Sequence, residues 1–206
     1  MQIKRALDIA FSAAVLVLLA PLLAVLALWV RLGSPGPVIY QQERVGRHGR
    51  LFRIYKFRTM HVGADAAGPA ITIGADVRIT RAGHFLRRSK LDELPQFVNV
   101  LRGDMSVVGP RPEVPRYVAL YPPDVAEQVL SVRPGITDLA SLAFRNESEL
   151  LARSDDPERT YVQEIMPAKL HYACQYVRRQ SLWLDLTIIA RTATTLARGP
   201  NTPGNP

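Results

Sequence analysis

Between residues 9 and 30 nearly every side chain is apolar, and Ser12 is the most polar of them. A bilayer core takes about 20 such residues as a helix. The run exceeds the apolar stretch of about 7–15 residues in a secretion signal, and a soluble helix is rarely apolar on every face. Lys4 and Arg5 precede it, and Arg31, Arg44, Arg47, Arg50, Arg53, Lys56 and Arg58 follow. Positive charge tends to stay on the cytoplasmic side. Pro21, near the middle, removes a backbone donor and kinks a helix. Basic flanks at both ends and a break at Ala20–Pro21 predict a re-entrant helix that leaves the membrane where it entered, with a kinked span as the alternative.

Gly33-Ser34-Pro35-Gly36-Pro37 reads as a boundary loop. Residues 38–42 and 51–59 are rich in β-formers with Gly46 and Gly49 between them, which predicts a hairpin. Lys56 and Arg58 then share a strand face. Residues 61–83 read as a long surface loop. Leu91, Leu94, Phe97, Val98 and Leu101 recur at helical spacing. Asp92 is placed as the N-cap of that helix, with Pro95 in its first turn and Arg102-Gly103 at its end. Gly109-Pro110-Arg111-Pro112 and Arg133-Pro134-Gly135 are stiff turns. Residues 147–159 are polar and partly helical. Residues 167–196 form one or two amphipathic helices, with Trp183 among leucines as in a helix lying in the membrane interface. The expected fold is α+β, mainly helical with a small β-hairpin. The expected organisation is a re-entrant helix over 1–32, a cytoplasmic-face catalytic domain over 33–198 and a disordered tail over 199–206.

Composition adds a net charge of +8, which predicts anionic partners. Cys174 is the only cysteine, so no intrachain disulfide forms. His48, His61, His84 and His171 have no zinc-site spacing.

The candidate chemistry is at Asp92 and Glu93. Adjacent helical residues point about 100° apart, so the two carboxylates do different jobs. A helix start favours ionised Asp92, and an ionised carboxylate is a nucleophile toward phosphorus or a Mg²⁺ ligand. A plain helix cap is the structural alternative. Arg87, Arg88 and Lys90 lie just before the pair, and Arg111 is held between two prolines. Guanidinium groups suit phosphate.

The run Arg87-Arg88-Ser89-Lys90-Leu91-Asp92-Glu93-Leu94-Pro95-Gln96 resembles the signature of the bacterial sugar transferases, the monotopic phosphoglycosyl transferases. So do Asn99-Val100-Leu101-Arg102-Gly103-Asp104-Met105-Ser106-Val107-Val108-Gly109-Pro110-Arg111-Pro112, Val132-Arg133-Pro134-Gly135-Ile136-Thr137, Tyr55-Lys56-Phe57-Arg58-Thr59-Met60 and Ser181-Leu182-Trp183-Leu184-Asp185-Leu186. The resemblance reaches from the N-terminal helix to about residue 196 and is to the family's minimal catalytic core.

The resemblance implies transfer of sugar-1-phosphate from a UDP-sugar to polyprenol (undecaprenyl) phosphate with release of UMP, the first membrane step of surface glycan assembly. It implies Asp92 as nucleophile through a phosphosugar–aspartate intermediate, and Glu93 as metal ligand or as activator of the lipid phosphate. Mg²⁺ is the implied cofactor, with Asp92 and Glu93 as its protein ligands. Arg111 is implied as a phosphate binder, with Lys56, Arg58, Arg88, Arg133 and Arg145 as further candidates for the anionic pocket. The implied location is the bacterial inner membrane, catalytic domain on the cytoplasmic face. Membrane lipids are further partners, and a second copy or downstream glycosyltransferases are left open.

The family's helix is often broken at Ser-Pro, where this chain has Ala20-Pro21. Many relatives continue past Thr137 with Gly-Trp-Ala-Gln, where this chain has Asp138-Leu139-Ala140-Ser141, so sugar identity is least fixed there. Two other classes compete. A non-catalytic adaptor binding anionic lipid or assembly partners has no use for paired carboxylates, and a nucleic-acid binder lacks interleaved aromatic platforms.

Overall fold

The computed structural model describes residues 2–64, 71–74 and 76–197, so the tail expected over 199–206 lies outside the described residues. Two helices open the chain, α1 (Gln2–Leu18) and α2 (Ala20–Gly33), bent by 64° from one another. No single described helix is long and apolar enough to cross a membrane, and the bent pair reaches that length and apolar composition only when its two helices are taken together. The bend falls at Leu19, and Pro21 occupies the first turn of α2. A proline there cannot donate to the carbonyl four residues back, and its ring pushes that turn open.

The outward residues of the pair are apolar, among them Phe11, Val17, Leu18, Val25 and Leu28. The inward face of α1 is not. Asp8 and Ser12 are its buried residues. Asp8 accepts from Ser106 Oγ at 2.8 Å and from the Val107 backbone N–H at 3.2 Å. Lys4 donates to Asp185 at 2.6 Å and to the Val108 carbonyl at 3.2 Å. The first two turns of α1 are thus tied into the rest of the protein, and the apolar part begins beyond them.

The predicted hairpin is present. β1 (Ile39–Val45) pairs antiparallel with β2 (Leu51–Phe57), from Ile39 opposite Phe57 to Val45 opposite Leu51. Then come α3 (Arg81–Ser89), α4 (Gln96–Arg102) and β3 (Ser106–Val108). Next are α5 (Pro115–Val118), α6 (Pro123–Leu130), β4 (Gly135–Thr137) and α7 (Leu139–Ala143). The chain closes with α8 (Glu147–Ala152), α9 (Pro157–Thr160), α10 (Met166–Arg179) and α11 (Leu182–Ala197). A π-helical turn at Tyr161–Ile165 joins α9 to α10. The architecture is α+β and mainly helical, as expected.

A parallel pairing of β3 with β4 was not expected. It joins the two stiff turns, because Gly109 donates to the Thr137 carbonyl at 3.2 Å and Gly135 to the Pro110 carbonyl at 2.9 Å. A Cβ at Gly109 would strike the Arg133 carbonyl, and one at Gly135 the Gly109 backbone. Only glycine permits that approach.

Among the described residues apolar packing falls into three groups. Leu26, Val30, Phe57 and Leu86 fasten α2 to β2 and α3. Ile54, Val100, Met105, Val107, Val108, Tyr176 and Ile188 form the centre. Val114, Tyr117, Val129, Leu151, Tyr161, Ile165, Met166 and Leu170 fill the far side. Leu182, Trp183 and Leu186 of α11 remain exposed.

Candidate active site

Helix α3 ends on Lys90 in the left-handed conformation, φ 57°. A side chain rarely adopts it, and such outliers concentrate at functional sites. The turn throws the chain into a 3-10 turn, Leu91–Glu93, whose two carboxylates are buried, Asp92 at 6% and Glu93 at 8% exposure. This corrects the placement of Asp92 as an N-cap. Helix α4 starts at Gln96 with Pro95 in the cap position. The intervening N–H groups already have partners, since Glu93 donates to the Lys90 carbonyl, Leu94 to Leu91 and Phe97 to Leu94. With no cap to make, Asp92 Oδ1 lies buried without a hydrogen-bond partner.

Glu93 is the opposite case. Its Oε1 accepts from Lys56 Nζ at 2.9 Å and from Arg111 Nη2 at 2.6 Å. Oε2 has a longer contact to Arg111 Nη1 at 3.5 Å. Lys56 comes from β2, and Arg111 from the turn that the β3–β4 pairing holds. The Arg111 backbone N–H donates to Asp138 Oδ2 at 3.0 Å, and Asp138 Oδ1 caps α7 through Ser141 N–H at 2.5 Å.

The two carboxyls separate in acidity. Burial pushes Asp92 up, and the neighbouring Glu93 charge adds to it. Burial acts the same way on Glu93, but the Arg111 and Lys56 cations outweigh it and hold that carboxyl well below the usual range. The Glu93 charge in turn raises Arg111, and burial lowers Lys56. One carboxylate is neutralised by two cations while the other keeps an oxygen unpartnered. Two acids with environments that push them apart have different tasks.

The remaining candidates divide. Arg88 is exposed, and of the two arginines it is Arg87 whose charge reaches Asp92, after those of Lys56 and Lys90. Arg87 Nε donates to Thr59 Oγ1 and Nη1 to Thr72 Oγ1, both at 2.8 Å. Sequence alone did not separate neighbouring arginines. Their helix directions, about 100° apart, are the signal that could have done so. Arg58 does not share the Lys56 face, because β2 ends at Phe57. Its buried Nη2 instead donates to Ser34 O at 2.7 Å, Ser34 Oγ at 2.9 Å and Val30 O at 3.4 Å, closing the end of α2. Arg133 turns to the Gly103 carbonyl at 2.9 Å. Arg145 is half-buried between α7 and α8.

Among the described residues no group of three or more His, Cys, Asp or Glu could hold a metal. The protein donors available at the pair are Asp92 Oδ1 and the weakly engaged Glu93 Oε2.

Comparison with known proteins sets this geometry in a family. The chain is 37% identical to UDP-N-acetylgalactosamine-undecaprenyl-phosphate N-acetylgalactosaminephosphotransferase of Aeromonas hydrophila, over 96% of this chain and 44% of that protein. It is 38% identical to UDP-glucose:undecaprenyl-phosphate glucose-1-phosphate transferase of Escherichia coli (strain K12), over 92% of this chain and 39% of that protein. It is 39% identical to the transferase of the same name in Caulobacter vibrioides, over 96% of this chain and 71% of that protein. The chain thus spans less than half the length of the first two relatives. The bacterial sugar transferase family matches residues 1–199, and this protein belongs to it.

Proposed function

We propose that this protein is a membrane-bound phosphoglycosyl transferase that moves sugar-1-phosphate from a UDP-sugar to undecaprenyl phosphate. The observation that carries the reading is the buried, unpartnered Oδ1 of Asp92 beside a Glu93 already neutralised by Lys56 and Arg111. A structural carboxylate would have its oxygens satisfied. The family and the substrates named for the relatives support it.

An Asp92 oxygen attacks the phosphorus that bears the sugar. The bond to the bridging oxygen breaks, and UMP leaves with that electron pair. An oxygen of undecaprenyl phosphate then attacks the same phosphorus, the aspartyl bond breaks, and the Asp92 carboxylate returns with a lipid-linked diphosphosugar formed. Arg87 lies on the Asp92 side, suited to balance the charge of the arriving diphosphate. Arg111 and Lys56 hold Glu93 ionised. Asp92 Oδ1 and Glu93 Oε2 are hard oxygen donors that suit Mg²⁺ with the substrate phosphates. Bound there, the ion would supply neutralisation of the diphosphate and of the leaving UMP.

The bent helix pair fits a re-entrant anchor. Lys4 on Asp185 and Asp8 on Ser106 keep the N-terminus on the domain's side, and Ser34 on Arg58 returns the chain to that side. The side would be the cytoplasmic face of the inner membrane, where UDP-sugars are.

The test is UMP release from purified protein in nanodiscs given undecaprenyl phosphate, Mg²⁺ and a panel that includes UDP-glucose, UDP-galactose and UDP-N-acetylgalactosamine. Asp92→Asn should lower turnover by about 10⁴-fold. No UMP from a broad panel would overturn the reading, and near-normal turnover in the variant would remove Asp92 as nucleophile. Tags at the N-terminus and after residue 198 should both report the cytoplasm.

A further inference from the structure

Arg133 belongs to a conspicuous motif, yet its contacts lie away from Asp92 and Glu93. Its Nε donates to the Gly103 carbonyl at the end of α4. Arg5 of α1 reaches the same helix end, with Nη2 on the Leu101 carbonyl at 3.2 Å and Nη1 on the Met105 carbonyl at 3.5 Å. Arg47, at the hairpin tip, donates Nε to the Ser131 carbonyl at 2.9 Å, two residues before Arg133. Burial pushes the Arg133 guanidinium down from its usual pKa, and the nearby charges of Arg5 and Arg47 push it the same way.

Among the described residues none of the three makes an ion pair with a carboxylate. Asp8, the one acid that Arg133 feels, is held by Ser106 and Val107. A helix end carries about half a negative charge, so the α4 end needs one cation and not the two that Arg5 and Arg133 bring, while Arg47 meets the end of α6 at Ser131. The Nη groups of Arg47 and Arg133 have no acceptor among the described residues and are not buried.

The surroundings say where this surplus charge sits. On α1, Ile3 and Leu7 are exposed, at 70% and 53%, on another side of the helix from Arg5, which stands four residues before the apolar run begins. On α4, Val98 and Leu101 are exposed as well. Arginines grouped at the start of an apolar membrane helix, beside exposed apolar residues of the domain, belong at headgroup depth. A phosphate diester there can take two parallel N–H groups from one guanidinium.

We propose that Arg5, Arg47 and Arg133 form a site for the phosphate of an anionic phospholipid headgroup, separate from the Asp92–Glu93 centre. It seats the α4 end of the domain on the membrane surface. The inference rests on the membrane association proposed above but not on the chemistry.

The experiment measures partition of the full chain between phosphatidylcholine vesicles and vesicles that also contain phosphatidylglycerol. Wild type should prefer the anionic vesicles. Arg47→Gln and Arg133→Gln should each lower that preference about fivefold, near the effect of one basic residue at an anionic surface. Arg153→Gln, the same charge change on an exposed residue of another region, should leave it unchanged. Circular dichroism checks folding. Arg47→Gln carries the test alone if Arg133→Gln, which also loses its hold on Gly103, does not fold. The proposal is overturned by an unchanged preference in the site variants, by an equal loss in Arg153→Gln, or by loss of wild-type preference to inorganic phosphate at constant ionic strength. Wild type bound equally to both vesicles would sink this site alone. Wild type bound to neither would sink the membrane reading with it.

Discussion

Glu93 and Arg111 are joined at 2.6 Å, and Lys56 takes the same carboxylate oxygen at 2.9 Å. Arg111 is therefore committed to an acid before any phosphate arrives. Its proline-flanked turn first serves to fix Glu93 and so to leave Asp92 as the carboxylate without a cation in direct contact.

Glu93→Gln should be destabilising. It leaves two half-buried cations facing an amide. Breaking a buried pair by removing one partner costs about 3 kcal/mol or more. Thermal unfolding in detergent measures it, and a melting temperature equal to that of wild type would show that the cations relax into solvent. Turnover should fall as well, because Arg111 and Lys56 lose the acid that orders them.

Much of this was legible in the sequence. The apolar run, its proline, the hairpin and the amphipathic end are periodic or compositional features, and each came out as an element. The carboxylate pair with its basic company was legible too. Local spacing could not show the turn at Lys90, because a non-glycine residue at positive φ has no sequence signal. The placement of Asp92 as a cap failed for that reason. Nor could it sort the arginines. Arg58 and Arg133 are drawn to backbone carbonyls that become neighbours only when distant segments pack.

Gly109→Ala should disturb fold and site together. The added methyl meets the Arg133 carbonyl, which belongs to backbone and cannot swing away. Overpacking of this kind costs about 1–3 kcal/mol. The β3–β4 pairing should open, and UMP release should fall more than the loss of folded protein accounts for, since Arg111 lies two residues on in the same turn. Activity proportional to folded fraction would separate the pairing from the site.

Asp138 is a positioning residue for Arg111. One of its oxygens holds the Arg111 N–H and the other caps α7. Asp138→Ala removes both bonds and should cost about 1–2 kcal/mol in stability. It should also lower kcat about tenfold with little change in KM. Asn has one acceptor oxygen where Asp has two, so Asp138→Asn should restore part of the rate. A merely structural residue would change stability and leave kcat per folded molecule unaltered.

Glu113 gives the pH dependence of stability. Tyr161 donates to it at 2.6 Å, and Arg44 and Lys169 lie at 3.5 and 4.0 Å. Burial alone would raise its carboxyl, but the Arg44 and Lys169 charges and the Tyr161 bond prevail and lower it from 4.5. A folded-state value below the unfolded one means that the folded state binds its proton less readily. The stabilisation is complete above about pH 4.5 and is lost as pH falls through the lower folded value. Wild type should thus lose stability on acidification below pH 4.5. Glu113→Gln keeps an acceptor for Tyr161 but leaves Arg44 unpaired, so it should be less stable at pH 7 by about 3 kcal/mol. It should also show a flatter acid limb in denaturant titrations run between neutral and acid pH. A variant with the wild-type acid limb would assign that limb to other carboxylates.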